Sequence, residues 1–495
     1  MKRSLVILLL AFSCIQVSFA QSKKPVIDQA DQIKRLDGTS ISFSDVDKII
    51  TQLMEAANVT GFGISILNDN KIVYTKTYGY RNKEKKELLD TSTVLYAASF
   101  SKAVLAYIAM QLVQDGVLDL DKQVWAYLNK PLPMYESYNN LADDDRWKLI
   151  TIRDCLRHTT GFPNWRWLNP RGNNDLEIFF TPGERYAYSG EGIALLQFVM
   201  EEATGKKLEE LARERVFRPF GMTRTSYVWQ QSFEDDFAFG YNSNGEMLKK
   251  KIRSVANGAG SMETTIADYS RFIEAVMQGI GLKDTIKKQM LSPQIHIKTK
   301  HQFPSLNTDT SEYPYKNIDL SYGLGWGLFK CPYGTAFFKE GHDDGWNHYN
   351  VNFPDKKISL VLMSNSSNAE SIFKETLEKI IGDVYTPCDW ENYKPYEGKY
   401  MPVMKEEPKI DTSWRQYVGT YTADNAKAII SYEGGQLKID LGKGLEKSIM
   451  FMDKPDFFSL KMAAIQIRFV RDQGGKIEKM LIIGGNEQHE FKKIN

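Results

Sequence analysis

The sequence places a serine three residues before a lysine, at Ser99 and Lys102. Side chains three residues apart share one face of a helix, so the lysine amine can reach the serine hydroxyl. The positive end of the helix favours an anion there, and a partly desolvated lysine can act as a neutral base. The pair therefore predicts a serine nucleophile activated by lysine. A helix from close to Ser99 is indicated by apolar residues at Val104, Leu105, Ile108, Ala109, Leu112 and Val113.

The same spacing occurs a second time, at Ser371 and Lys374. This copy follows a polar loop and precedes a helix rich in charges, so we interpret it as surface. The alternative for the first copy is a buried serine at a helix start beside a solvated lysine. Context from other segments favours Ser99 as the nucleophile.

A tyrosine, Tyr188, stands at the end of a turn that begins at Thr181 and leads into a helix. Such a position can present the phenol at a cleft. A phenolate near an ammonium group is a credible general base, because cations depress the pKa of a phenol. The alternative is that Tyr188 is one of 25 tyrosines, packed and hydrogen-bonded.

The segment from Lys339 to Trp346 contains His342 and enters a pair of strands near the end of the helical region. An exposed edge strand beside Ser99 can supply a backbone N–H for an oxyanion hole, with the Ser99 N–H as the second donor. His342 would add a polar or cationic group to the site. The alternative is a structural histidine.

The elements around these residues indicate an α+β fold. An amphipathic helix is predicted from Ser44 to Ala57, followed by two strands joined at Asn68-Asp69-Asn70. A second strand pair, 348–353 and 358–363, follows a largely helical stretch in which Gly116 and Gly205 close helices. Strands at both ends predict one central antiparallel sheet flanked by helices.

The chain of 495 residues divides into several parts that differ in composition and hydrophobic pattern. Residues 21–43 are a polar leader and 44–385 form the main domain. Residues 386–413 are a proline-rich linker. Short alternating strands in 414–495 predict a small antiparallel β-barrel, with Gly434-Gly435 and Gly474-Gly475 as turns.

Charge and cysteine usage exclude several function classes. The net charge is +1 with no dense basic stretch, which argues against nucleic acid or an anionic membrane surface as a partner. Of the four cysteines, Cys14 lies in the first twenty residues, which are predicted to be removed; the remaining three, at 155, 331 and 388, are odd in number and widely spaced, which fits neither a disulfide framework nor a zinc site. We expect Cys155 to be a small buried hydrophobe, on a helix capped by Thr151 and Asp154.

The first twenty residues predict export. Lys2 and Arg3 precede an apolar run from Leu5 to Ile15, and small residues at Ser18 and Ala20 form a cleavage site. The protein is therefore expected in the periplasm or outside the cell. A lipid anchor at Cys14 is disfavoured, because the apolar run continues past it. No other segment is apolar enough to span a membrane.

Together, the three segments with Ser99, Tyr188 and His342 resemble the serine β-lactamase and penicillin-binding-protein family, specifically its class C-like and esterase branch. The resemblance covers roughly residues 44 to 385. The tail from Trp414 resembles a β-barrel often appended in this branch. Connecting stretches also have counterparts in the family, at 150–161, 217–222, 258–262 and 322–326.

The resemblance implies roles for these residues. Ser99 would form an acyl-enzyme, and Lys102 and Tyr188 would share proton transfer. His342 would occupy the position of the lysine in a Lys-Thr-Gly strand, and the Gly345 N–H would complete the oxyanion hole. No metal or cofactor is implied.

Two departures from the family pattern bear on substrate. The Tyr-x-Asn element is Tyr188-Ser189-Gly190 here, so the amide that orients an acyl-amide substrate is missing. Asp344, beside Asp343, stands where glycine is usual and puts a carboxylate near the mouth of the site. We expect it to repel carboxylate-bearing β-lactams and to attract a substrate ammonium.

The leading hypothesis is an exported serine hydrolase that acts through an acyl-enzyme on a small-molecule or peptide ester or amide. Its class would be an esterase, a D-amino-acid peptidase or a β-lactamase-like enzyme. The alternative is a non-hydrolytic penicillin-binding or sensory relative that acylates slowly or only binds ligand. The oligomeric state is left open.

Overall fold

The computed structural model describes residues 31–396, 414–423, 426–433, 436–442, 447–460, 465–484 and 487–494. The predicted signal peptide at 1–20 with Cys14, the leader as far as residue 30, the Gly434-Gly435 turn and positions 397–413 of the predicted linker lie outside the described residues.

The main domain contains thirteen strands and eight α-helices among its described residues. The strands are β1 (Gln32–Lys34), β2 (Ser40–Ser42), β3 (Gly61–Asn68), β4 (Lys71–Asn82), β5 (Glu87–Leu88), β6 (Leu95–Tyr96), β7 (Glu263–Thr264), β8 (Ile295–His296), β9 (Ser321–Tyr322), β10 (Gly327–Cys331), β11 (Gly334–Asp343), β12 (Trp346–Phe353) and β13 (Ile358–Ser364). The helices are α1 (Phe43–Ala56), α2 (Phe100–Gln114), α3 (Ile152–Leu156), α4 (Gly190–Thr204), α5 (Leu208–Ala212), α6 (Ile266–Gln278), α7 (Asp284–Met290) and α8 (Phe373–Ile381).

Nine strands form one antiparallel sheet in the order β5-β4-β3-β13-β12-β11-β10-β9-β8. The first long strand pairs with the last, with Ile64 opposite Leu362, so both ends of the domain build the centre of the sheet. The β3–β4 hairpin turns at Asp69 and Asn70, whose positive φ angles of 52° and 58° match the twist of paired strands. The predicted central antiparallel sheet is confirmed.

Helices cover both faces of this sheet. Successive residues of a strand point to opposite faces, and β13 is buried on both. Its Val361 and Met363 pack into the core that contains α2 and α6, whereas Leu360 and Leu362 pack into the core of α1 and α8. Helix α2 is buried along nearly its whole length, which is typical of a central helix in a large domain.

The leader is shorter than predicted. Strands β1 and β2 pair within it, and Ile33 and Leu36 are fully buried. The Leu36 N–H donates to the carbonyl of Ile381 at the end of α8. The segment was predicted to be a leader because most of its residues are polar. Its two apolar side chains are nevertheless packed in the main domain.

The linker also begins later than residue 386. Cys388 and Trp390 are buried, and the Trp390 ring packs edge-on against Phe338 of β11 at 6.3 Å. The Gln302 N–H donates to the Trp390 carbonyl at 2.9 Å. This stretch is part of the folded domain, because the side chains between its prolines pack into the core.

The C-terminal part is a closed barrel of eight antiparallel strands, as predicted. They are β14 (Gly419–Ala423), β15 (Ala426–Glu433), β16 (Gln436–Asp440), β17 (Ser448–Lys454), β18 (Phe457–Leu460), β19 (Ile465–Arg471), β20 (Ile477–Gly484) and β21 (Glu487–Lys493). Tyr421 of the first strand pairs with Lys493 of the last and closes the barrel. Phe458, Phe469 and Met480 lie in its core.

Two smaller expectations also have outcomes. Cys155 is fully buried, and Thr151 and Asp154 form the predicted capping box at the start of α3. In the part of the chain that the structure describes, no helix combines the length and hydropathy needed to cross a membrane.

Candidate active site

Ser99 lies in a tight turn directly before α2. It is the N-cap residue, but its side chain makes no capping hydrogen bond, so the hydroxyl is not consumed by the helix end. The preceding residue, Ala98, has a φ of 46°, a left-handed conformation that is strained for a residue with a Cβ. This turn holds the Ser99 hydroxyl at the edge of a cleft with a volume of about 980 Å³.

Lys102 is the immediate partner of Ser99. Its Nζ lies 2.9 Å from Ser99 Oγ and donates a hydrogen bond to the Ala259 carbonyl at 2.5 Å. The side chain is buried, and burial, aided by the nearby charge of Lys339, holds the pKa of Lys102 well below its usual value. A neutral amine at this distance can accept the serine proton.

Tyr188 immediately precedes α4, whose start is capped by the Ser189 hydroxyl. Its ring lies 5.0 Å from Lys102 Nζ, and its hydroxyl accepts a hydrogen bond from Lys339 Nζ at 3.1 Å. Burial, reinforced by the negative charge of Glu340, raises the pKa of Tyr188 well above that of a free phenol. Tyr188 is therefore a neutral phenol at rest, which corrects the expectation that neighbouring cations keep it as a phenolate.

Lys339, on β11, is a site residue to which the sequence pattern gave no role. Its Nζ is fully buried and donates to the Tyr188 hydroxyl at 3.1 Å, to the Glu340 carbonyl at 3.2 Å and to Glu340 Oε1 at 2.6 Å. Lys339 therefore supplies the cation beside Tyr188 that was assigned to His342. The available signal was a lysine two residues before Gly341 in the same segment.

His342 also lines the cleft, but its ring is engaged elsewhere. Its Nδ1 lies 2.6 Å from Asn347 Oδ1 and 3.2 Å from Glu370 Oε2. These contacts turn the imidazole towards β12 and the α8 side of the sheet, because alternate residues of a strand face opposite ways. The expectation that the His342 side chain replaces a catalytic lysine is therefore wrong.

Gly345 does not complete the oxyanion hole either. Its N–H donates to the Ser367 hydroxyl at 2.7 Å, in the two-residue turn between β11 and β12. That turn places Asp343 opposite Trp346 as the hydrogen-bonded pair, so His342 and Asn347 form the next, non-hydrogen-bonded pair. The His342 N–H consequently points away from β12, towards the open edge of β11.

The open edge of β11 faces the Ser99 turn. Strand β10 pairs with β11 only as far as Phe338, so no strand among the described residues pairs with 339–343 on that side. A Cβ on Gly341 would lie 3.0 Å from the Ala97 carbonyl, which shows how closely this edge approaches the turn. The His342 N–H thus lies on the edge of β11 that faces the Ser99 turn.

The glycine at position 190, where the family pattern has asparagine, has a steric explanation. A Cβ added there would lie 2.8 Å from the Asn164 carbonyl oxygen and 2.8 Å from the Trp165 ring. Asn164 Oδ1 accepts a hydrogen bond from the Gly190 N–H, and the Trp165 ring stacks on Trp167 at 4.9 Å. An aromatic wall therefore occupies the space that a side chain at position 190 would need.

Asp343 and Asp344 lie at the mouth of the cleft, which Lys251 and Arg253 line as well. Both line the cleft, and Asp344 is exposed. Asp343 lies 3.9 Å from an Arg253 nitrogen, and Arg253 also pairs with the buried Glu263. Within the described residues, no three His, Cys, Asp or Glu side chains cluster as metal ligands would.

The second serine–lysine pair forms no comparable site. The Ser371 hydroxyl donates to the Asn368 carbonyl at 2.6 Å, and the exposed Lys374 pairs with Asp389 at 3.1 Å. Ser371 and Lys374 thus point to different partners.

Comparison with known proteins agrees with this geometry. The family model described as Beta-lactamase matches residues 46–381. This chain belongs to the β-lactamase family. It is 24% identical to "Penicillin-binding protein 4*" of Bacillus subtilis, over 85% of this chain and 92% of that protein. It is 21% identical to a "Beta-lactamase" of Providencia stuartii, over 66% of this chain and 87% of that one.

A solved structure shares the fold. The octameric penicillin-binding protein homologue from Pyrococcus abyssi superposes with a TM-score of 0.57 at 20% identity, covering 91% of this chain and 100% of that one. Members of the β-lactamase family combine S-x-x-K with a Lys-Thr-Gly strand. Here that strand is Lys339-Glu340-Gly341, with glutamate in place of the threonine.

Proposed function

We propose that this protein is an exported serine hydrolase that cleaves an ester or amide through an acyl-enzyme on Ser99. The observation that carries the proposal is the 2.9 Å contact between Lys102 Nζ and Ser99 Oγ in a buried site. Tyr188 and Lys339 extend the same hydrogen-bonded group. The hydrogen bonds within this group match the proton transfers that acyl transfer requires.

Acylation begins when the neutral Lys102 amine accepts the Ser99 proton and Ser99 Oγ attacks the substrate carbonyl carbon. The carbonyl oxygen becomes an oxyanion, which accepts hydrogen bonds from the N–H groups of Ser99 and His342. The tetrahedral intermediate then expels the leaving group. The Tyr188 phenol donates the proton that this group needs and is reprotonated from Lys102.

Deacylation repeats these steps with water. The neutral Lys102 amine takes a proton from water, and the resulting hydroxide attacks the acyl carbon. The bond from the acyl carbon to Ser99 Oγ then breaks, and Ser99 Oγ recovers that proton from Lys102. The hydrogen bond from Lys339 Nζ to the Tyr188 oxygen stabilises negative charge that develops on that oxygen.

The relatives support the class of reaction and leave its substrate open. They include proteins named as a penicillin-binding protein and as a β-lactamase, so acyl groups of the peptide or β-lactam kind are candidates. The missing amide at Gly190 favours an ester over a β-lactam or another acyl-amide substrate.

Labelling with active-site reagents tests the proposal. The mature chain is treated with a fluorophosphonate and, separately, with a fluorescent penicillin, alongside Ser99→Ala and the matched control Ser371→Ala. We expect fluorophosphonate labelling in the wild type and in Ser371→Ala, and none in Ser99→Ala. Labelling by neither reagent would favour the non-catalytic alternative. Labelling that persists in Ser99→Ala and disappears in Ser371→Ala would identify the other serine as the nucleophile.

Export is tested separately. The signal pattern at Lys2, Arg3 and the apolar run that follows predicts cleavage after Ala20. N-terminal sequencing of the protein recovered from the periplasm or medium should begin at Gln21. An intact N-terminus in the cytosolic fraction would contradict export.

A further inference from the structure

The floor of the cleft carries an ion pair that the rest of the mechanism does not explain. Glu340 stands at the middle position of the Lys-x-Gly strand, where threonine is the family pattern. Its Oε1 lies 2.6 Å from Lys339 Nζ, and its side chain is only 6% exposed. Glu340 nevertheless lines the same cleft as Ser99.

This pairing uses every proton of the Lys339 ammonium group. An ammonium has three donors, and Lys339 directs them to the Tyr188 hydroxyl, the Glu340 carbonyl and Glu340 Oε1. No donor is left for a substrate. The carboxylate also cancels the charge of the lysine, so the cleft floor holds no net positive charge to attract an anion.

Arg166 and Arg253, which line the cleft together with the exposed Lys251, have anionic partners. Arg166 pairs with the buried Glu191 at 2.8 Å, and Arg253 pairs with Glu263 at 3.2 Å. Asp343 and the exposed Asp344 add negative charge at the mouth. The floor of the cleft therefore offers a substrate carboxylate no donor from Lys339 and places it beside the Glu340 carboxylate.

We propose that Glu340 selects substrates by charge, so that the hydrolase prefers an ammonium group near the scissile bond, accepts a neutral group, and rejects a carboxylate. The proposal rests on the proposed serine hydrolase function. A buried carboxylate beside the reacting groups places substrate carboxylates next to a like charge, which is unfavourable by several-fold to several orders of magnitude in affinity. A substrate ammonium would instead find an acceptor in Glu340.

Two matched sets of aryl esters test this. In one set, esters of equal acyl length end in a carboxylate, a methyl or an ammonium group, and in the other the same charges are placed on the leaving phenol. kcat/KM is measured for the wild type, Glu340→Gln and Glu340→Thr. Asp344→Asn is the matched control, because it removes one carboxylate from the same cleft without touching Lys339.

We expect the wild type to prefer ammonium over neutral over carboxylate esters in at least one set. In Glu340→Gln and Glu340→Thr, the carboxylate-to-neutral ratio should rise by about tenfold or more, and the ammonium-to-neutral ratio should fall. Comparing ratios separates charge selection from structural damage, which would lower all three rates in parallel.

Three results would overturn the proposal: ratios that stay constant in both variants, a parallel loss of all rates, or an equal change in Asp344→Asn. Failure of the proposed function looks different, because then the wild type shows no Ser99-dependent turnover of the neutral ester. Binding of matching aryl ketones, which contain no bond to hydrolyse, should follow the same charge order even in that case. A reversed or absent order would refute charge selection independently of catalysis.

Discussion

A buried histidine beneath the active site should make the main domain sensitive to acid. His348, on β12, is fully buried, and both of its ring nitrogens are engaged. Its Nε2 lies 2.8 Å from the Tyr96 carbonyl and its Nδ1 lies 3.2 Å from the Ser364 N–H. This arrangement fits only the neutral ring, because Nε2 must donate and Nδ1 must accept.

The size of the effect follows from the pKa of His348. Burial lowers it from 6.5 to about 4. Between these values the unfolded chain takes up a proton and the native chain does not, so the free energy of unfolding falls as the pH falls through this window. Each pH unit contributes about 1.4 kcal/mol, which makes the loss at pH 4 about 3 kcal/mol.

The test compares the wild type with His348→Gln. The variant loses the titration, and it is less stable at neutral pH because the two hydrogen bonds are disturbed. We expect the difference in unfolding free energy between the two proteins to shrink by about 3 kcal/mol between pH 7.5 and pH 4. Urea unfolding followed by tryptophan fluorescence reports on the main domain, since eight of the nine tryptophans precede residue 397. A difference that is constant with pH would refute the reasoning.

Four further predictions concern the site. Lys102→Met should lower the acylation rate by about 10³-fold, and wild-type kcat/KM should fall as the pH drops through the lowered pKa of Lys102, because only the neutral amine accepts a proton. Lys339→Met should lower kcat by about 10²-fold through loss of the bond to the active-site phenol. His342→Ala should change kcat by less than about threefold, because only the backbone N–H is used. Gly190→Asn should destabilise the domain by about 1–3 kcal/mol by crowding the Asn164 carbonyl and the Trp165 ring, and adding Trp165→Ala should relieve the part that comes from the ring.

Matched measurements make three of these predictions refutable. Lys374→Met is the control for Lys102, and an equal loss of rate in both would point to a nonspecific effect. A loss of about 10²-fold or more in His342→Ala, with the fold intact by circular dichroism, would restore a catalytic imidazole. Thermal unfolding of the Gly190 and Trp165 single and double variants measures their coupling, and additive effects would show that the two positions do not compete for space.

Much of the fold was predictable because local patterns determine it. The hairpin at Asp69 and Asn70 follows from residues that tolerate positive φ between alternating strands. The capping box of Thr151 and Asp154 depends on residues three apart. The barrel strands follow from the alternation of apolar and polar residues, such as Leu437 and Ile439 around Lys438.

Two boundaries escaped prediction for a single reason. The leader and the first part of the linker look polar, yet Leu36 and Trp390 are buried against the main domain. A few apolar anchors in a polar segment carry no periodicity, so only the presence of a complementary core shows that the segment folds. The backbone bond from Leu36 to Ile381 links positions far apart in the chain.

The sequence by itself determined the Ser99–Lys102 pair, because a helical turn brings residues three apart together whatever surrounds them. Only the tertiary structure decided that Lys339, rather than His342, meets Tyr188. Those two residues are 151 positions apart, and their contact depends on which side of β11 faces the helices. The raised pKa of the Tyr188 phenol likewise depends on the tertiary structure, because desolvation and the negative charge of Glu340 act on it only once the sheet and helices close around it.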